Sequence, residues 1–77
     1  MAKTIKVNRV ANFILVHLYE CSEGEESLFP LWLNIDKIMC FYPGEDINGR
    51  DLTTIEYGED RIHVIETRSE ILALIGA

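Results

Sequence analysis

At 77 residues the chain has room for one domain and one modest core, and a fold of this size buries only about 60–65% of the surface of its unfolded form. Its net charge is −6, and the seven basic residues (Lys3, Lys6, Arg9, Lys37, Arg50, Arg61 and Arg68) never cluster, which argues against a nucleic-acid surface. An apolar share of 48% suits a folded core, and no apolar run approaches the ~18–20 residues that cross a bilayer.

Residues 4–10 alternate, with Ile5 and Val7 facing one way and Lys6 and Asn8 the other, which predicts a half-buried strand. Ala11-Asn12 supplies a tight connection. Residues 13–19 are apolar on both faces apart from His17, the pattern of a strand covered on both sides. The polar stretch 21–27 contains Gly24 and predicts an exposed hairpin loop. Residues 28–33 form a third strand, and Pro30 places it at a sheet edge or a bulge because proline cannot donate to a ladder. Asn34 is suited to cap a single helical or 3₁₀ turn.

A fourth strand, 38–42, stops at Pro43-Gly44. Residues 45–51 make a polar loop with Asn48-Gly49, a dipeptide suited to positive φ. Residues 52–57 and 61–65 flank Gly58-Glu59-Asp60, the clearest hairpin in the chain, with Ile62 and Val64 as the inward set of the return strand. Thr67-Arg-Ser-Glu70 fits a capping box, and Ile71, Leu72, Leu74 and Ile75 follow as one apolar helical stripe that Gly76 ends.

The strands carry apolar side chains in both directions. Phe13, Leu15 and Tyr19 oppose Ile14, Val16 and Leu18, and Met39 and Phe41 oppose Ile38, Cys40 and Tyr42. One short helix cannot cover both faces of such a sheet, so either the sheet closes into a small barrel or a second chain covers the rest. A homo-oligomer is the expectation.

No constellation carries chemistry. His17, His63, Cys21 and Cys40 lack the paired spacing of a zinc site, so no metal or cofactor is expected. The loop 45–51 fails the calcium pattern, because its glycine falls too early and the closing glutamate is misplaced. No serine sits in a nucleophile elbow, there is no glycine-rich phosphate loop, and no catalytic residue is assigned. Cys40 lies in an apolar run and reads as a small core residue. Without a signal-like segment ahead of the first strand, a reducing cytoplasm with unbridged thiols is expected, and no membrane contact. The aromatic residues read as core or interface, with Trp32 and Tyr42 the best placed for the surface.

The order Leu33-Asn-Ile-Asp-Lys-Ile38, Pro43, Thr53-Thr-Ile-Glu-Tyr-Gly58, Ile62-His-Val-Ile-Glu66, Glu70-Ile71 and Leu74-Ile75 resembles the FlbD-like family of small flagellar and swarming-motility proteins. The resemblance covers residues 31–75. It departs from the family in the longer hairpin of residues 13–26 and the longer loop of residues 43–52. It implies no catalytic residue. The pattern is also similar to short phage- and mobile-element-encoded proteins with small barrels.

These readings predict an α+β domain: a bent antiparallel sheet or SH3-like barrel of five to six strands with a short C-terminal helix. The expected role is a non-enzymatic binding or regulatory module that acts through protein–protein contacts and self-associates. Its candidate contact residues are Phe13, Tyr19, Trp32, Tyr42, Arg50, Arg61 and His63. The alternative is an oligomer holding a small ligand, such as a nucleotide, between subunits, in pockets lined by aromatics with Arg50, Arg61 or His63. Nucleic-acid binding comes third and catalysis last.

Overall fold

A computed structural model describes residues 8–44 and 51–76. In chain order it contains β1 (Arg9–Val10), β2 (Phe13–Ser22), β3 (Glu25–Asn34), a 3₁₀ turn (Ile35–Lys37), β4 (Ile38–Pro43), β5 (Thr53–Tyr57), β6 (Asp60–Val64) and α1 (Arg68–Ile75). The strands form one antiparallel sheet in the order β1-β2-β6-β5-β4, and β3 lies against β2. The sheet curls into a half-barrel with α1 as the one helix among the described residues, so the expected α+β architecture holds. No helix among the described residues is long and apolar enough to cross a membrane. Of the expected first strand, residues 4–7 lie outside the described residues, as do Asn48-Gly49 and Arg50.

β2 and β3 are longer than their apolar runs, and the expected loop at 21–27 is corrected. The ladder runs unbroken from Phe13↔Asn34 to Ser22↔Glu25, so only Glu23-Gly24 turns. Both turn residues have positive φ, 54° and 82°, which matches the right-handed twist of the strands they join. Ladder hydrogen bonds carry the polar residues on either side, which side-chain polarity alone misassigned. Gly58 does the equivalent work between β5 and β6 at φ 59°, where Tyr57 pairs with Asp60.

The core lies on the concave side and comprises Ile14, Val16, Leu33, Ile55, Val64 and Ile71, with Phe41, Tyr57, Ile62, Leu74 and Ile75 packed against it. Each fully buried side chain of this kind contributes about 1.5–3 kcal/mol. At the base of the β2–β3 hairpin, Asn34 acts as a clasp. Its Oδ1 accepts from the Asp36 amide at 3.0 Å, starting the 3₁₀ turn, and from Asn12 Nδ2 at 2.9 Å. The capping box of α1 is complete, with Thr67 Oγ1 accepting from the Glu70 amide and Glu70 Oε1 accepting from the Thr67 amide.

Two further sequence readings are corrected. Cys40 is exposed rather than a core residue, and Met39 is the most exposed large apolar side chain among the described residues. The cause is a bulge: Ile38 pairs with Tyr57 but Cys40 with Glu56, so one extra residue resets the alternation and turns both Ile38 and Phe41 inward. Leu72 is 60% exposed and leaves the helical stripe, because α1 inserts only Ile71 fully and rests on Leu74 and Ile75. Gly76 ends the helix in a right-handed conformation (φ −82°), its amide donating to Leu72.

One glycine is required by close approach. The Gly44 amide donates to the Leu52 carbonyl at 2.7 Å, and a Cβ there would lie 2.7 Å from Thr54 Oγ1 and 3.1 Å from Leu52 O.

The position of α1 yields a paired test. Ile71→Ala is expected to cost about 2–5 kcal/mol in urea unfolding. Leu72→Ala is expected to change stability by less than about 0.5 kcal/mol. Equal losses would mean that the helix seats on a different face.

Candidate functional site

Two candidate surfaces follow from how β2 shares its edges. Along one edge β2 pairs with β3 throughout. Along the other it meets β1 at its start and β6 at Leu18↔Val64. Between them, the Leu15 amide donates to Asn8 O at 2.8 Å and the His17 amide to Glu66 Oε1 at 2.8 Å. The His17 carbonyl accepts from the Ile65 amide at 3.2 Å.

Leu15 and His17 therefore turn their backbone groups away from β3. Their partners on β3, Trp32 and Pro30, turn theirs toward the outer edge of the sheet. Among the described residues nothing pairs with that edge, and the Asn34 amide at its end donates to the Tyr57 hydroxyl at 2.9 Å. Pro30 thus costs the ladder no hydrogen bond, and it removes a donor from the middle of the open edge. Natural sheets use this device to discourage strand addition. The expectation that Pro30 marks an edge is met.

The face of this ladder is a different matter. Residues directly opposite one another in an antiparallel pair point to the same side. Ile14, Val16, Leu31 and Leu33 point into the core, so Phe13, Trp32, Pro30 and Leu28 point away from it, and Val10 joins them opposite Phe13. Val10, Phe13, Trp32 and Leu28 are 42–54% exposed, and Pro30 is exposed between them. Together they form a row of exposed apolar side chains on one face, and apolar patches of this kind are often functional.

The remaining predicted contact residues divide. Phe13 and Trp32 fall on this strip. Tyr19 does not: it is buried, and its hydroxyl donates to Glu26 Oε2 at 2.7 Å. Tyr42 and Arg61 meet on the outer face of β4–β6, where Glu56 binds both. The Tyr42 hydroxyl and Arg61 Nε each donate to Glu56 Oε2, at 2.5 and 2.7 Å. The hydrogen bond to Glu56, and then desolvation, hold the Tyr42 phenol above its ordinary range. The same bond, together with the Arg61 guanidinium, holds the Glu56 carboxyl below its own, and Arg61 is raised by Glu56 in turn. His63 is half-buried, its Nδ1 3.0 Å from Thr54 Oγ1.

Sequence reasoning missed the strip's other members, Val10, Leu28 and Pro30. Leu28, Pro30 and Trp32 recur at period two, so alternation along β3 carried the signal. It also missed Glu66, which holds the His17 amide with one carboxylate oxygen and the His17 Nδ1 with the other at 2.7 Å. Glu66 stands in for a strand neighbour between β1 and β6. These two residues, with Leu15, Glu70 and Leu74, line a cleft of about 300 Å³. Its carboxylates serve the β2 edge and the helix cap, and among the described residues its lining offers no hydroxyl, thiol or amine nucleophile. Among the described residues no three His, Cys, Asp or Glu side chains converge as a metal site.

Fold and surface together define a small curled-sheet α+β domain that presents an apolar sheet face. No family model, curated protein or solved structure matches the chain.

The Tyr42–Glu56–Arg61 cluster predicts a titration. By NMR, the Tyr42 phenol is expected to ionise at higher pH than an unperturbed tyrosine at about 10. Glu56→Gln removes the carboxylate that opposes a phenolate, and is expected to lower that midpoint. An unchanged midpoint would show that the contact does not form in solution.

Proposed function

We propose that this protein is a non-enzymatic binding module that acts through protein–protein contacts, and that a second copy of the chain covers its apolar sheet face. The observation that carries this reading is the row Val10, Phe13, Trp32, Pro30 and Leu28, exposed on the side of the β2–β3 ladder away from the core. A standard interface buries roughly 800 Å² per partner, a little over half of it apolar. The strip supplies exposed apolar side chains for such an interface. It is centred on a tryptophan, the residue type that most often dominates interface energetics. An apolar face of this kind also suits a two-fold contact, in which the same patch serves both subunits.

Pro30 favours face packing over edge pairing, since the edge lacks a donor at its centre. The alternative, a small anionic ligand held between subunits, has less support because Arg61 is engaged by Glu56. Cys21 and Cys40 both lie exposed, and surface thiols suit a reducing, cytoplasmic setting. The likeness of residues 31–75 to FlbD-like proteins accords with a regulatory role and supplies no site residue.

Sedimentation or light scattering over a micromolar dilution series tests the reading. The native chain is expected to self-associate, and Trp32→Glu to weaken association by at least roughly thirty-fold, the scale of a central interface residue. Because Trp32 lies outside the core, the thermal midpoint of the dissociated variant is expected to match that of the dissociated native chain. A native chain that stays monomeric across the series would overturn the reading.

A further inference from the structure

The concave side of the β2–β3 hairpin continues past the end of the core. Passing outward along that side, the ladder presents Ile14 with Leu33, Val16 with Leu31, Leu18 with Phe29, and then Glu20 with Ser27. The first two rungs are core. At the third, Leu18 still pairs with buried Val64, but Phe29 is 47% exposed. β6 meets β2 only at that rung, so the rest of the hairpin projects as a two-stranded arm, and Glu20 to Pro30 are exposed without interruption. A lone two-stranded ribbon is marginal in water, so an arm with a phenylalanine on this side has chemical reason to acquire cover.

Charge selects the cover. The arm carries Glu20, Glu23, Glu25 and Glu26, and no lysine or arginine occurs between Arg9 and Lys37. On the concave side Phe29 is followed by Glu20 and Glu25, because Glu20 pairs with Ser27 and Ser22 with Glu25. A nucleic acid or an anionic membrane would be repelled. A second copy is a poor fit as well, since it brings the same carboxylates and a net charge of −6. Two of its cations are already engaged: Arg61 holds Glu56, and Arg9 Nη1 donates to the Leu74 and Ile75 carbonyls at the end of α1.

We infer that the concave side of this arm, centred on Phe29 and flanked by Glu20 and Glu25, docks a basic amphipathic segment of a partner protein, one with lysines or arginines bordering an apolar stripe. The apolar stripe covers Phe29 and the exposed part of Leu18, and the cations meet the carboxylates. Complementary charge of this kind speeds encounter and makes binding salt-dependent. The surface lies opposite the strip formed by Val10, Phe13 and Trp32, so the inference does not depend on self-association.

The test is an NMR titration of the full-length chain with a synthetic amphipathic peptide that has one leucine face and one lysine face. The same peptide with glutamates in place of lysines is the comparison. The lysine peptide is expected to shift the amides of Leu18, Glu20, Glu25 and Phe29 to saturation, and the glutamate peptide to leave them in place. Phe29→Ser is expected to raise Kd about ten-fold, and the conservative Glu20→Gln/Glu25→Gln double variant to raise it by a similar factor and flatten its salt dependence. Repeating the titration on Trp32→Glu separates the two readings, since docking on the arm persists there whether or not the native chain self-associates. Equal binding of both peptides, shifts confined to the Phe13–Trp32 face, or an unchanged Kd in both variants would overturn the inference. Movement of the same arm signals on dilution without peptide would assign the arm to a second copy and overturn it equally.

Discussion

The structure depends on β2 being shared. One ten-residue strand carries β3 along one edge, and along the other it must satisfy β1, a side-chain carboxylate and β6 in turn. A buried backbone donor without a partner costs about 1–3 kcal/mol, so the gap between β1 and β6 needs filling. Glu66 fills it for His17, and because Glu66 immediately precedes the cap of α1, the same residue sets where the helix starts. Ile71 then enters the core one turn later.

This arrangement explains why the molecule has two unlike exposed apolar regions. The core cover reaches only as far as β6 and α1 extend along β2. On the concave side it ends near Leu18↔Val64, leaving Phe29 at the margin. On the convex side the row from Val10 to Leu28 stays exposed, while α1 inserts Ile71 into the core. With the edge blunted at Pro30, the exposed apolar surface of the hairpin lies on its faces rather than along its backbone edge.

Much of the local structure was legible. The capping box Thr67–Glu70, the Asn34-capped turn, the hairpin at Gly58 and the edge character of Pro30 all rest on interactions within a few residues, or on a missing donor. The surplus of apolar side chains was legible too, as was the surface position of Trp32 and Tyr42. What failed had a common cause. Cys40 and Met39 were misplaced because a bulge depends on how β4 meets β5, and alternation assumes an unbroken register. The loop at 21–27 was overdrawn because polar side chains do not prevent a ladder made by the backbone. Tyr19 was taken for a contact residue although Glu26, close in space across the hairpin, takes its hydroxyl.

The sequence by itself therefore determined the kinds of element, most of their ends, the negative charge and the excess of apolar surface, because propensity, capping and composition act locally or sum along the chain. Only the tertiary structure decided which apolar residues lie outside. That outcome depends on register, on one extra residue in β4, and on where Glu66 ties the helix to β2. All three are relations between segments distant in the chain, and no local pattern encodes them.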